Sequence, residues 1–417
     1  MMSNTFRLHR LAVSTMAVLM FIVVACGNVV ASEQKVIRYM TFMPAETEQQ
    51  IVENFTKSHP DIVVKVEQLG FGDEYFEKIL TSVATGSAPE VVTMNYEQFS
   101  RFVAAGAFAP LNSLIKSTSF DVDRYFPQVF NLFNFSGNQM AVPATFSNVV
   151  MFYNTSLFEE AGLRYPTSEW TWDDLVTAGK KLVRDTNRDG VTDVYGYAIQ
   201  WWPIYLAMNG VTVLNQDNTK TRVDEPAAVE AIQRVIDTWA VHRFAINPTS
   251  GISDWDTWKA GNLAMWPTGP WAIGPFLETS FDWDVAHHPG MARKATFLYS
   301  NALAIPTGTK NLAEAWELIQ YLAGPEGSRI RQGSGYELSP LRDVANLLAQ
   351  GQRRPKSARV FFEATTYAVS PPTVADWDKI HDMIYNQIDQ AYRGQVSPAQ
   401  ALKTAAQQVN AFLATKK

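Results

Sequence analysis

Lys35-Val36-Ile37-Arg38-Tyr39-Met40-Thr41 and Asp61-Ile62-Val63-Val64-Lys65-Val66-Glu67 read as two strands, and what lies between and after them decides the fold class. Pro44 ends the first run, and Glu46 to Ser58 carries Ile51 and Phe55 at helical spacing. In the second run Ile62, Val64 and Val66 share one face. Asp73 then opens a helix bearing Phe76, Ile79, Leu80 and Val83, and Gly86 closes it. Pro89 leads into a third strand, Val91 to Met94, followed by a helix over Glu97 to Ala105 that ends at Gly106. This alternation is the signature of an α/β fold with a parallel sheet covered by helices. In such sheets ligands sit beyond the carboxyl ends of the strands, here Thr41-Phe42 and Asn95-Tyr96.

A second set of alternating elements follows. Asn148 to Tyr153 reads as a strand, and Thr171-Trp172-Asp173-Asp174 as a capping box opening a helix. Asp224 to Arg243 is an amphipathic helix with Val229, Ile232, Val235, Ile236 and Trp239 on one side. Leu298 to Ile305 is a further strand. The tail is helical, with Trp377, Ile380, Ile384 and Ile388 in one stripe and a last helix opened by Ser397-Pro398. Two α/β units in one chain predict two lobes. Within the second, Ala260-Gly261-Asn262-Leu263-Ala264-Met265-Trp266-Pro267-Thr268-Gly269-Pro270-Trp271 reads as a short strand, Leu263 to Trp266, a Gly-Pro turn and the start of a helix. Trp266 and Trp271 flank that turn. Each indole offers a flat apolar face with one N–H donor, which suits a sugar ring as well as a protein core. Trp201-Trp202-Pro203 sits at another strand end, with the same two readings open. Tyr299, Asn301, Tyr336 and Trp377 are weaker candidates, Trp377 because it belongs to an apolar stripe.

The chain has 417 residues, 47% apolar and 18% charged, which is globular and large enough for two lobes. Its aromatic content, 12%, calls for a large core or an aromatic-lined cleft. Residues 1–32 read as a leader: Arg7, His9 and Arg10 precede an apolar run from Leu11 to Ala25. Val30-Ala31-Ser32 fits cleavage before Glu33, giving a soluble periplasmic protein. Val23-Val24-Ala25-Cys26 is the alternative, a lipobox that would lipidate Cys26. The first reading is preferred because the first strand begins near Lys35, which leaves no polar tether after the cysteine. Cys26 is the one cysteine, so an intrachain disulfide is excluded. Losing Arg7 and Arg10 takes the formal charge from −6 to −8, which argues against nucleic acid as a partner.

Asp185-Thr186-Asn187-Arg188-Asp189-Gly190-Val191-Thr192-Asp193 has the spacing of a calcium loop, with Asp185, Asn187, Asp189, Val191 and Asp193 as ligands. The twelfth position, where an EF-hand has its bidentate Glu, is Gly196. An Asx-rich turn without metal is the equal alternative. No cofactor is required by any other motif: GxSxG, HExxH, Walker and dinucleotide fingerprints are absent. A glycosidase would need two paired carboxylates, and Glu46, Glu97, Asp254 and Asp256 are those placed to reach a cleft.

Several segments together resemble the bacterial extracellular solute-binding proteins of the carbohydrate-binding class, relatives of the maltose-binding protein. They are Phe55 to Val64, Thr85-Gly86-Ser87-Ala88-Pro89-Glu90-Val91, Gly106-Ala107-Phe108-Ala109-Pro110-Leu111, Tyr153-Asn154-Thr155-Ser156-Leu157-Phe158, Thr171-Trp172-Asp173-Asp174-Leu175, Ala264 to Trp271, and Ala304-Ile305-Pro306 with Ala313-Glu314-Ala315-Trp316. They cover nearly the whole mature chain in family order. The resemblance implies a two-lobed type II periplasmic-binding-protein fold with several hinge crossovers, near 142–143, 298–299 and 339–340. One lobe would hold 33–142 and 299–339, the other 143–298 and 340–417. It implies a monomeric receptor that closes over a mono- or oligosaccharide and delivers it to the permease of an ABC importer, without catalysis. Trp271 and Trp266 would face the sugar rings, and Phe42, Glu46 and Asn95 would come from the first lobe. Tyr96, Asn148 and Gly269 complete the expected contacts. An exported glycan-active enzyme, or the same fold binding glycerol phosphate or a polyamine, are the alternatives.

Overall fold

The expected βαβαβα run opens the computed structural model, which describes residues 34–350, 354–370, 372 and 374–416. The leader, both cleavage readings and Cys26 lie outside the described residues. Strand β1 (Lys35–Thr41) leads through helix α1 (Ala45–Ser58) to β2 (Ile62–Gln68), and through α2 (Asp73–Ala84) to β3 (Val91–Asn95) and α3 (Tyr96–Ala104). Strand β1 pairs in parallel with both β2 and β3. The helices stop where the sequence provides left-handed glycines, with φ of 68° at Gly86 and 67° at Gly106.

Later strands complete this sheet. β4 (Val142–Asn148) and β8 (Thr296–Ala304) pair antiparallel, and β8 also lies antiparallel to β3, setting Asn301 against Asn95. With the short strand Ala368–Val369, which lies parallel to the start of β8, the sheet has six strands among the described residues. A second sheet has three antiparallel strands: β5 (Val150–Asn154) lies between β6 (Met265–Thr268) and β7 (Trp283–Ala286). The strand read as one run from 148 to 153 is therefore broken at Val149, where the chain leaves one sheet for the other. The Thr296 hydroxyl bonds both the N–H and the C=O of Val149, at 3.0 and 2.7 Å, and pins the end of β8 to that break.

The cores follow the sheets. One packs Ile37, Phe55, Leu303, Trp316 and Val344, and another Met40, Phe76, Phe102 and Ala302, on the two faces of the first sheet. The second lobe sets its three-stranded sheet between a cluster containing Met151, Trp172, Ile232 and Ile384 and one containing Phe152, Trp258, Phe276 and Phe361. Leu341 and Val344 pack in the first lobe's core, and Phe361 in the cluster around Phe152 and Trp258. The capping box at Thr171 and Asp174 is present in both directions, and Ser397 caps the final helix, Pro398–Ala414.

Beneath the first lobe's helices lies a buried ion pair. Glu48 of α1 takes two bonds from the Arg331 guanidinium, at 2.6 and 2.7 Å, and one from Tyr39 Oη at 2.9 Å. Burial works against the arginine's charge, but the Glu48 carboxylate outweighs it and raises the Arg331 pKa. The pair joins chain segments 283 positions apart.

Candidate functional site

A cavity of about 680 Å³ opens where the two sheets meet. Its floor is polar and built by strand register. Asn95 is both the last residue of β3 and the N-cap of α3, and its Oδ1 accepts the Glu97 N–H at 2.9 Å. That bond fixes the amide, whose Nδ2 donates to Asn301 Oδ1 at 3.0 Å. Asn301 in turn donates to Glu337 Oε2 at 2.9 Å, and the Thr145 hydroxyl donates to the same oxygen. The result is an oriented rail from the Glu97 N–H through Asn95 and Asn301 to the Glu337 carboxyl, with the Glu97 carboxyl also lining the cavity.

Both carboxyls are perturbed. Burial, and secondly the nearby Asp378 carboxylate, raise the Glu97 pKa from 4.5 to about 7. Burial raises that of Glu337 as well, against the hydrogen bonds it accepts from Thr145 and Asn301. The described lining contains no Lys, Arg or His.

Aromatic rings wall the floor from both sides. Phe42, Phe71 and Tyr336 face it from the first lobe, Trp201 and Trp271 from the second, and Tyr299 from β8, where it packs against the second lobe's core. Trp271 follows Gly269 in a 3₁₀ turn, Pro270–Ala272, and stands edge-to-face against Tyr299, 6.2 Å between centroids. Gly269 does not line the cavity; it makes room for the indole, since a Cβ there would come within 2.0 Å of the Trp271 ring. Trp201 ends at the start of the helix Trp202–Met208, and its N–H donates to His381 Nε2 at 2.8 Å. That bond needs an unprotonated ring nitrogen, and burial lowers the His381 pKa.

The cavity thus gathers Phe42, Asn95, Trp201, Trp271, Tyr299, Asn301 and Tyr336 from the expected residues. Others lie elsewhere. Trp266 is 5% exposed and packs against Trp258 and Phe276. It belongs to β6, pairs with Phe152 of β5, and both faces of that sheet are covered by core. Trp202 is buried and stacks on His381. Trp377 is buried on its apolar stripe, perpendicular to Trp201. Asn148 is buried and donates to the Phe361 carbonyl, and Tyr96 is buried against Phe133. Glu46 is exposed on α1. Of the four carboxylates named for catalysis, Glu97 alone lines the cavity.

Five lining residues were not among the expected contacts: Phe71, Glu97, Val149, Gln200 and Glu337. Phe71 follows the carboxyl end of β2, so extending the strand-end rule from β1 and β3 to β2 finds it. Gln200 and Glu337 each adjoin an expected aromatic. Val149 carries no signal in the sequence: it is buried, and it borders the cavity only because the strand breaks there.

In the Asp-rich loop, Asp185 accepts the N–H groups of Arg188, Asp189 and Gly190, and Asp193 the N–H of Thr186. No group of three or more His, Cys, Asp or Glu among the described residues is arranged to hold a metal. A smaller cavity of about 350 Å³, lined by Ala207, Leu214 and Phe297, has Arg293 as the one charged side chain of its described lining, and that Nε is bonded to the Ala207 carbonyl.

A two-lobed α/β fold whose interlobe cleft is aromatic-walled and polar-floored defines a solute-binding protein. The chain belongs to the family described as bacterial extracellular solute-binding protein, whose profile matches residues 44–329. It is 30% identical to an ABC substrate-binding protein of Listeria monocytogenes solved in complex with cycloalternan, with 91% of this chain and 99% of that one covered and a TM-score of 0.85. Over 245 residues it is 25% identical to the arabinooligosaccharide-binding protein of Halalkalibacterium halodurans, covering 56% of this chain and 53% of that one. It is also 22% identical to the sn-glycerol-3-phosphate-binding periplasmic protein of Pectobacterium atrosepticum, covering 99% and 98% of the two chains.

Proposed function

We propose that this chain is an extracytoplasmic receptor that captures an uncharged sugar between its lobes and presents it to an ABC importer. The observation that carries this reading is the cleft: stacking rings on two sides of a floor of oriented amides and carboxyls, with no cationic side chain in its described lining. Sugar rings offer apolar C–H faces and rims of hydroxyls. Aromatic faces serve the first, and groups that both donate and accept serve the second. Hinge closure then replaces water around the ligand by protein contacts. Micromolar capture requires about −8 kcal/mol, within reach of several such contacts together with closure. The Listeria protein solved with cycloalternan and the arabinooligosaccharide-binding protein support the ligand class.

The glycerol phosphate relative raises the question of an anionic ligand. A phosphate needs cationic or clustered N–H donors, and a lining with two carboxyls and no cation disfavours it. Those same carboxyls favour a polyamine as second reading. Yet Glu337 already accepts two bonds, and burial holds the Glu97 carboxyl above the ordinary carboxylate range, which disfavours its charged form. Such groups suit hydroxyls better than ammonium ions.

The experiment is a titration of intrinsic Trp fluorescence with mono- and oligosaccharides, sn-glycerol 3-phosphate and spermidine. The expected result is a saturable change with a sugar that is recovered intact, lost in Trp271→Ala. Response to spermidine alone would replace the sugar reading by the polyamine, and recovery of cleaved sugar would make the protein an enzyme.

A further inference from the structure

The loop after β2 carries Phe71 between Gly70 and Gly72, and Leu69 N–H ties it to the end of β1 through the Thr41 carbonyl at 3.0 Å. Phe71 is 60% exposed, although two rings hold it in place. It stands edge-to-face against Phe42, 5.1 Å away, and against Phe76, 5.6 Å away. Phe42 is 9% exposed and lines the same cavity. The two form one apolar ledge on the first lobe, with Phe42 its inner part and Phe71 its outer part. Single exposed apolar side chains are ordinary on protein surfaces. This one is braced by aromatic contacts and borders the cleft, which gives its open face a use.

The ledge and the floor divide the work of recognition. Asn95, Asn301 and the two carboxyls handle hydroxyls, whereas the ledge has no polar atom and offers only ring faces. The cavity, at about 680 Å³, lies well inside the range of sites that enclose drug-sized ligands, which are larger than one pyranose. Resting on the sugar reading above, we infer that Phe71 is a length-selecting residue. It supports an outer ring of an oligosaccharide whose inner ring lies between Trp271 and the amide rail. The chain is then a receptor for oligosaccharides in preference to monosaccharides.

The test measures affinities of the mature protein for two series, glucose to maltotetraose and arabinose to arabinotriose. The readout is the ratio of trisaccharide to monosaccharide affinity in wild type, Phe71→Ala, Phe71→Trp and Trp271→Ala. Phe71→Ala should lower the ratio about two- to tenfold, the worth of one aromatic contact. Phe71→Trp should hold it, and Trp271→Ala should weaken short and long sugars together. An unchanged ratio in Phe71→Ala, with sugars still bound, would overturn the length-selecting role and leave the receptor reading standing. Absence of binding by every sugar in wild type would overturn both.

Discussion

Glu97 links the cleft to pH in a way that can be measured without a ligand. Its folded pKa of about 7 stands above its ordinary 4.5, first because of burial and second because of Asp378. Asp378 lies on the helix Trp377–Tyr392 of the other lobe, where it accepts the Gln98 amide at 3.0 Å and stands 3.9 Å from Arg101, with His381 and Asp382 on its own helix. Below pH 4.5 the residue is protonated in folded and unfolded chains alike and has no effect. Between 4.5 and about 7 the unfolded chain has lost the proton that the folded chain keeps, so stability falls as pH rises. Above about 7 the full cost is present. At about 1.4 kcal/mol for each tenfold change in proton activity, that interval sets a ceiling of about 3 kcal/mol. Urea unfolding of wild type and Glu97→Gln at about pH 5 and about pH 8 measures the difference, and subtraction removes titrations common to both proteins. Wild type should lose stability relative to the variant across that range. Asp378→Asn should flatten the slope in part only, because burial is the larger cause. Equal slopes in wild type and Glu97→Gln would refute the assignment.

Gly269→Ala should weaken sugar binding as Trp271→Ala does although the indole is retained in the chain, because its methyl displaces the Trp271 ring; fluorescence titration and the Trp emission spectrum read both effects. Glu48→Gln should cost about 3–5 kcal/mol in urea unfolding, since it leaves the Arg331 guanidinium buried without its counter-charge. The double variant Glu48→Leu with Arg331→Met should recover much of that loss, and failure to recover would mean that shape, not charge, sets the cost.

Much of this architecture is legible in the sequence, and its limits are physical. Alternation and capping mark β1 to α3 because each element there has one buried and one open face. The same logic misplaces Trp266, since a sheet covered on both sides buries every residue and its sequence shows no polar face. Trp201 and Trp202 are neighbours whose side chains diverge where the helix begins, one to the cleft and one to the core, and adjacency alone does not say which. Glu46 and Glu48 divide similarly: Glu48 shares the inward face of α1 with Ile51 and Val52, and Glu46 lies off it. The amide rail rests on β3 meeting β8, a pairing of residues 206 positions apart that no local pattern announces.

That distant pairing also sets when the first lobe can exist. Its sheet takes strands from residues 35–148, 296–304 and 368–369, and its buried ion pair waits for Arg331. A nascent chain therefore lacks β8, the second partner of β3, until most of the polypeptide has been made. Closing so long a loop carries an entropic cost that must be met before any native contact rewards it, and domains rich in such contacts fold slowly. The strand that completes the binding floor is thus also the one that decides when the first lobe can set.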